Sequence, residues 1–351
     1  MSINIAGKKI GLDQPTFIIA ELSANHNQQL DVALATVKAA KEAGADAIKL
    51  QTYTADTLTL DCDSDHFKVN HGTLWDGETL YSLYQKAFTP WEWHQEIMDY
   101  AKQLGLICFS SPFDPTAVDF LADLDVPAYK IASAEITDIP LIDYVARQHK
   151  PIIISTGIAR LADIELAVET CRKAGNNEII ILKCTSAYPT PLDEVDLNTI
   201  PNIRSTFGCE VGLSDHTLGT TVVAAAVALG ARVVEKHFIL DKTLGGPDAD
   251  FSLDPQEFTT LVTTIRDTEK ALGTVNYALS PKLTKLRQFS RSLFITQDVA
   301  DGSVISLDNV RSVRPGFGLH PKYLEQLLGK KFRGSHAKGT PLSWEHIADA
   351  E

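Results

Sequence analysis

Short apolar runs alternate with amphipathic stretches through roughly the first 275 residues. Eight runs read as strands: FIIAEL (17–22), AIKLQ (47–51), LICFSS (106–111), AYKIAS (128–133), PIIIST (151–156), EIIILKCT (178–185), EVGLSDH (210–216) and VVEKHF (233–238). The stretches between them carry helical spacing, as in DVALATVKAAKEAG (31–44), TPWEWHQEIMDYAKQLG (89–105) and LADIELAVETCRKAG (161–175). In DPQEFTTLVTTIRDTEKALG (254–273), Asp254 stands as an N-cap, Pro255 at the first helical position and Gly273 past the last turn. Strands apolar on both faces and separated by helices indicate parallel β/α units. Eight such units in about 250 residues predict a closed (β/α)₈ TIM barrel. A doubly wound open sheet is the alternative, weakened because no G-x-G-x-x-G follows the first strand.

The alternation breaks twice. A polar, aromatic-rich insert (52–88) follows the second strand on the side where loops carry function. After Gly273 the stretch TVNYALSPKLTKLRQFS has no clear period and reads as a linker. From about Arg291 the chain turns to short strands and turns, a tail of about 60 residues that is small for a core of its own. The organisation expected is a barrel domain over 1–275, a linker over 276–290 and a small domain over 291–351.

Composition narrows the function classes. A formal net charge of −13 argues against a nucleic-acid partner, which calls for a basic face. No apolar run approaches the roughly 20 residues of a membrane span, and MSINIAGKKI lacks the apolar core of a secretory signal. Five cysteines without CxxC spacing point to a reducing cytoplasm.

Chemistry in a barrel sits at the C-terminal ends of the strands, and those ends turn polar here. They present Glu21, Lys49, Gln51, Ser110, Ser111, then Lys130, Ser133 and Glu135. Further round come Ser155, Thr156, Thr185, Ser186 and Tyr188, and last Ser214, His216, Glu235 and His237. Two histidines from adjacent strands can share a divalent ion and leave positions open for water and substrate. Such an ion acts as a Lewis acid on a carbonyl oxygen. Two lysines among hydroxyls make a cradle for phosphate or carboxylate, and Glu21 can move a proton. Each has a structural alternative: a core histidine, a rim ion pair, a charge-balancing carboxylate. The tryptophans 75, 91 and 93 read mainly as packing, His26 as a loop organiser and DCDSDH as a solvated segment. What lifts the set is that all of it falls at one end of different strands.

The motifs IAELSANHN, AIKLQTY, FSSPFD, IISTG, LKCTSAYPTP, GLSDHT, EKHF and GGPDADFS follow in order, and RSLF with VRPGFGLHP closes the series. In this the chain resembles the sialic acid synthase family over nearly its whole length. Members condense phosphoenolpyruvate with an amino sugar into a nine-carbon α-keto acid, on a barrel followed by a C-terminal antifreeze-like (SAF) domain. Within the family, LWDGETLYSLYQKAFTPWEWH and LKCTSAYPTP are most similar to the pseudaminic acid branch, whose acceptor is 2,4-diacetamido-2,4,6-trideoxy-L-altrose. Ser186 stands where the N-acetylneuraminate branch often has Asn.

The resemblance implies that His216 and His237 hold Mn²⁺, with Mg²⁺ or Co²⁺ as alternatives. It places Lys49, Ser111, Lys130 and Ser133, with Ser155, Ser186 and Ser214, around phosphoenolpyruvate. Gln51, Glu135, Tyr188 and Asp248 contact the sugar, Glu21 handles a proton, and Arg314 reaches the barrel of a neighbouring subunit in a domain-swapped homodimer. Alternatives are an N-acetylneuraminate or legionaminate synthase, a metal-dependent pyruvate aldolase, and a non-enzymatic carbohydrate- or ice-binding protein.

Overall fold

The computed structural model describes residues 2–69 and 76–348, so the part of the insert holding Trp75 lies outside the described residues. The chain divides into two compact units, Met1–Gly273 and Thr274–Glu351. In the first, eight parallel strands close a barrel in chain order: β3 (Phe17–Glu21), β4 (Ala47–Thr52), β5 (Ile107–Pro112), β6 (Tyr129–Ile131), β7 (Ile152–Ser155), β8 (Ile179–Cys184), β9 (Glu210–Asp215) and β10 (Val233–His237), with β10 pairing back on β3. Every run read as a strand is one.

The period-two alternation of strands explains how the barrel is filled. Phe17, Ile19, Ala47, Phe109, Ile153 and Val233 are among the side chains forming an apolar plug inside it. Two residues further along each strand the inward side chain turns polar: Glu21 after Ile19, Lys49 after Ala47, Ser155 after Ile153, Glu235 after Val233. The outward set, including Ile18, Ile48, Ile154, Val211 and Val234, packs under the helices in a second core. Gly212 allows close packing within the barrel, since a Cβ there would strike the Val233 carbonyl and Leu182.

Local signals set the helices. In α5 (Pro115–Asp123), Asp114 accepts from the backbone N–H of Thr116 and Ala117. In α10 (Pro255–Leu272), Asp254 and Glu257 form a reciprocal capping box, with Pro255 in the first turn and Gly273 at the C-cap.

The sequence did not announce the hairpin at the start. Strands β1 (Ile3–Ile5) and β2 (Lys8–Ile10) pair antiparallel about Ala6 and Gly7, both at positive φ (47° and 88°), as a tight hairpin turn requires. Ile3, Ile5 and Ile10 join the inner core and complete the plug at the end away from the polar ring.

Among the described residues the insert carries two α-helices, α2 (Ala55–Leu58) and α3 (Leu80–Ala87), with a 3₁₀ turn over Asp65–Phe67. In the second unit, β11 (Ser292–Ile295) pairs antiparallel with β12 (Val310–Val313) over a separate core that includes Leu293, Ile305, Leu327, Phe332 and Leu342. The stretch read as an aperiodic linker holds a short α-helix, α11 (Pro281–Leu286), capped by Ser280, whose hydroxyl accepts from the Leu283 N–H, and a 3₁₀ turn over Arg287–Phe289. The apolar side chains there face solvent in this chain, with Val275 91% and Tyr277 95% exposed.

Ile5 tests the plug. It is fully buried, so Ile5→Ala should cost about 2–5 kcal/mol of barrel stability, read by denaturant unfolding followed by tryptophan fluorescence. An unchanged midpoint would make the hairpin a cover only.

Candidate active site

The polar ends of the strands surround a cavity of about 430 Å³. At its floor four buried charges meet. The Lys49 ammonium lies 2.5 Å from Glu21 Oε2 and 3.8 Å from Glu235 Oε1. Lys130 lies 3.4 Å from the same oxygen of Glu235, and the Ser214 hydroxyl donates to it at 3.2 Å. Gln51 fixes the other side of Glu21, its Nε2 donating to Glu21 Oε1 at 3.1 Å and to Ser23 at 3.0 Å. Ser111 sits behind Lys49 and accepts from its Nζ at 3.2 Å.

These contacts set the charge states. Burial, reinforced by the Glu235 charge, pushes the Glu21 carboxyl up to about 7 against the pull of Lys49. Burial also works on Glu235, but Lys130 and Lys49 outweigh it and hold that carboxyl below its usual range. Lys49 is pulled down by burial and raised further by its two carboxylates, so it remains an ammonium. Lys130 is lowered, by burial first. Two carboxylates with pKa values driven apart by their surroundings are the mark of a divided acid–base role.

His216, just past the end of β9, and His237, at the end of β10, line the same cavity with ring centroids 5.4 Å apart. Burial and the charges around it drive His237 well below its ordinary pKa, so its imidazole is neutral. Its buried Nδ1 has no hydrogen-bond partner, with Asp248 Oδ2 at 3.7 Å. Burial also opposes the charged form of His216, but the Cys184 thiol and the Thr185 carbonyl outweigh it and raise that imidazole. His216 Nδ1 faces the Thr185 carbonyl at 3.1 Å, which leaves Nε2 as the nitrogen for a ligand. Among the described residues no group of three or more His, Cys, Asp or Glu side chains forms a metal cluster. What the pair offers a divalent ion is two imidazoles lining one cavity, with the buried Nδ1 of His237 unpartnered and Nε2 of His216 available.

Hydroxyls gather around Gly157, next to Cys184. Its N–H donates to the Ser133 hydroxyl at 3.1 Å. A Cβ at Gly157 would meet the Ser186 hydroxyl, Ser133 Oγ at 2.8 Å and Cys184 Sγ at 3.1 Å. Only glycine leaves this room. Ser155 Oγ and Glu235 Oε2 are buried without hydrogen-bond partners. Buried polar atoms are rarely left so unless a ligand or water completes them. Glu135 lines the mouth, its carboxyl raised to about 7 by burial. Tyr188 packs 4.3 Å from the His216 ring and 4.9 Å from Phe251. Asp248 is raised by burial.

Three features had no role from sequence. Glu235 stood in a quoted motif, yet its place between two lysines follows only from its sharing the inward face with His237. Cys184 lies on the inward face of β8, with Leu182 and Ser186 two residues to either side. Burial pushes its thiol up, but His216, 3.9 Å away, outweighs that and brings it down to about 7. The third is an apolar wall: Leu58, Leu80, Leu83 and Tyr84 of the insert, with Phe113, close the cavity opposite the charged floor. Trp91 and Trp93 pack instead. Trp91 stacks 4.8 Å from Phe120 and donates to the Tyr53 carbonyl, and Trp93 lies against the outer core. His26 is buried and organises its loop, Nδ1 accepting from the Gln28 N–H and Nε2 meeting the Thr89 hydroxyl. Arg314 is on the second unit, exposed and without a hydrogen bond or ion pair among the described residues.

Comparison with known proteins agrees with this architecture. The NeuB family model matches residues 36–277, and the SAF domain model matches 290–348. The pseudaminic acid synthase of Campylobacter jejuni (strain 81-176) is 49% identical over 319 residues, 91% of this chain and 93% of that protein. The pseudaminic acid synthase of Helicobacter pylori is 46% identical over 335 residues, 95% of this chain and 98% of that one. The crystal structure of the spore coat polysaccharide biosynthesis protein spsE of Bacillus subtilis is 35% identical, covers all of both chains and superposes with a TM-score of 0.67. The chain belongs to the NeuB family, the sialic acid synthase family that its motifs resemble.

Proposed function

We propose that the chain condenses phosphoenolpyruvate with 2,4-diacetamido-2,4,6-trideoxy-L-altrose and water, giving a nine-carbon nonulosonic acid and phosphate. The observation that carries this is the floor of the cavity. Two buried ammonium groups, two carboxylates with separated pKa values and the unpartnered hydroxyl of Ser155 stand beside a pair of imidazoles. The names of the nearly full-length relatives support the acceptor.

The chemistry follows from these groups. Lys49 and Lys130, with the hydroxyls of Ser133, Ser155, Ser186 and Ser214, hold the anionic ends of phosphoenolpyruvate. Its enol carbon attacks the aldehyde carbon of the open-chain sugar, and the former carbonyl oxygen takes up a proton. Positive charge develops at the adjacent carbon, where water adds and loses a proton. The tetrahedral centre then expels phosphate by carbon–oxygen cleavage and leaves the ketone. Glu21, with its pKa near neutrality, is the group to take the water's proton. His216 and His237 would hold a divalent ion, Mn²⁺ first, which when bound polarises the aldehyde oxygen. Gln51, Glu135, Tyr188 and Asp248 face the sugar, with the apolar wall toward its methyl group.

The active unit is a homodimer with exchanged tails, Arg314 of one subunit completing the cavity of the other. Supporting this are the exposed linker side chains, Val275, Tyr277 and Phe289, and the unengaged guanidinium of Arg314.

Three measurements test the reading. With Mn²⁺, phosphoenolpyruvate and a panel of amino sugars, phosphate release should match nine-carbon product by mass. The 6-deoxy diacetamido sugar should be preferred by the roughly 10–200-fold that small apolar differences allow. Preference for N-acetylmannosamine would refute the acceptor, and product without phosphate would refute the reaction. Glu21→Gln should fold and bind both substrates, yet lose about 10²–10⁴-fold in kcat. Near wild-type turnover across pH would reduce Glu21 to a charge balancer. Glu21→Gln and Arg314→Ala homodimers should each be nearly inactive, and subunit exchange between them should restore activity toward half of wild type per heterodimer. Verified exchange without recovery would put Arg314 to work within its own chain or only in folding.

A further inference from the structure

We infer that Lys236 and Asp215, which lie behind the cavity, are positioning residues that set the separation of His216 and His237 as a metal-holding pair. The inference rests on the metal reading of those two histidines given above.

The strand register comes first. Lys236 and Asp215 are direct neighbours on β10 and β9, and theirs is the last pair of that ladder. His237 is still on β10, but His216 lies one residue beyond β9 and has no ladder partner there. Ladder pairing between β9 and β10 therefore stops short of His216, whose carbonyl accepts from the Thr190 N–H on another element. The direct tie between the His216 and His237 segments beyond that rung is made by the side chains behind them. Alternation turns Ser214, His216, Glu235 and His237 inward, so Asp215 and Lys236 point outward, with side chains 1% and 0% exposed.

The contacts there close a ring around His216. Lys236 Nζ donates to Asp215 Oδ2 at 2.7 Å and also to the Thr217 carbonyl. Asp215 Oδ1 accepts from the Thr217 N–H at 3.0 Å and from its hydroxyl at 2.8 Å. The residues on both sides of His216 are thus tied to one ammonium, and that ammonium belongs to the residue before His237.

Around this pair the outer core is largely apolar, with Val234, Leu213, Val223 and Phe258 among its members. A buried ion pair is a poor way to gain stability there, because apolar residues of similar volume serve as well or better. What it supplies is direction and a fixed length. Partners bonded directly to a metal ligand govern affinity by about 10–100-fold, and this pair acts on the same spacing through the backbone on either side of His216.

The test measures Mn²⁺ binding to the metal-stripped full chain by calorimetry, beside thermal unfolding and phosphoenolpyruvate binding in chelator. The variant is Lys236→Met combined with Asp215→Asn, which removes both charges and keeps an acceptor for Thr217. It should stay folded, bind phosphoenolpyruvate as wild type does, and lose about 10–100-fold in Mn²⁺ affinity. Unchanged Mn²⁺ affinity in the folded variant overturns the inference while leaving the metal reading intact. Wild type that binds no Mn²⁺, or His237→Ala that binds it as tightly, overturns the metal reading and this inference with it. If the double variant does not fold, Thr217→Val removes one hydroxyl contact and keeps the ion pair. A smaller loss in the same direction supports the clamp, and an unchanged affinity overturns it.

Discussion

Lys49 is held between Glu21 and Glu235, and Glu235 in turn between Lys49 and Lys130. All four charges are out of water. Each would cost several kcal/mol to bury alone, so none can be understood apart from the other three. With Glu21 ionised the set sums to zero, two ammonium groups against two carboxylates, and only a rigid surround keeps them at contact distance. A closed parallel barrel supplies that surround, because each of these side chains sits on a strand whose neighbours on both sides are fixed by main-chain pairing. An anionic substrate entering here meets cations already partnered by the protein's own carboxylates. It must compete with Glu21 for Lys49, and on the proposed mechanism that competition places the proton-handling group beside the reacting atoms.

Layering inside the barrel follows from the same geometry. An apolar plug, completed from below by Ile3, Ile5 and Ile10, excludes water from beneath the charges. The polar residues begin one alternation step higher. Shifting a strand by one residue would exchange its faces and send Glu235 outward into the apolar layer with Lys236 inward. The ion pair of Lys236 with Asp215, placed at the last rung of the β9–β10 ladder, opposes that slip where it would do most damage.

What could be read from the chain divides along physical lines. The eight barrel strands were legible because a strand buried on both faces must be apolar throughout, and FIIAEL or EIIILKCT can be little else. Asp254, Pro255 and Gly273 marked α10 because caps are local chemistry. The hairpin β1–β2 was not legible: three-residue strands with two lysines in the second carry no periodicity. The short helix α11 escaped for the same reason, since six residues show no repeat. Lys49, Lys130, His216 and His237 announced themselves as polar groups ending apolar strands. Glu235 did so too, but its role depends on two lysines contributed by other strands, and no local pattern carries that.

The apolar wall marks the far edge of legibility. Leu58, Leu80 and Leu83 come from an insert whose pattern is broken, and they meet the cavity only because the insert folds back over it. The cavity therefore has two makers. The barrel strands supply charges and hydroxyls suited to an anionic three-carbon donor, and the insert supplies a surface suited to the apolar part of an acceptor. Exchanging a methyl for a hydroxymethyl against such a wall is worth about 1–3 kcal/mol, enough to choose between sugars and too little to alter the bond-forming step. On the proposed reading, acceptor choice is shared between this wall and the strand-end groups Gln51, Glu135, Tyr188 and Asp248 that line the same cavity.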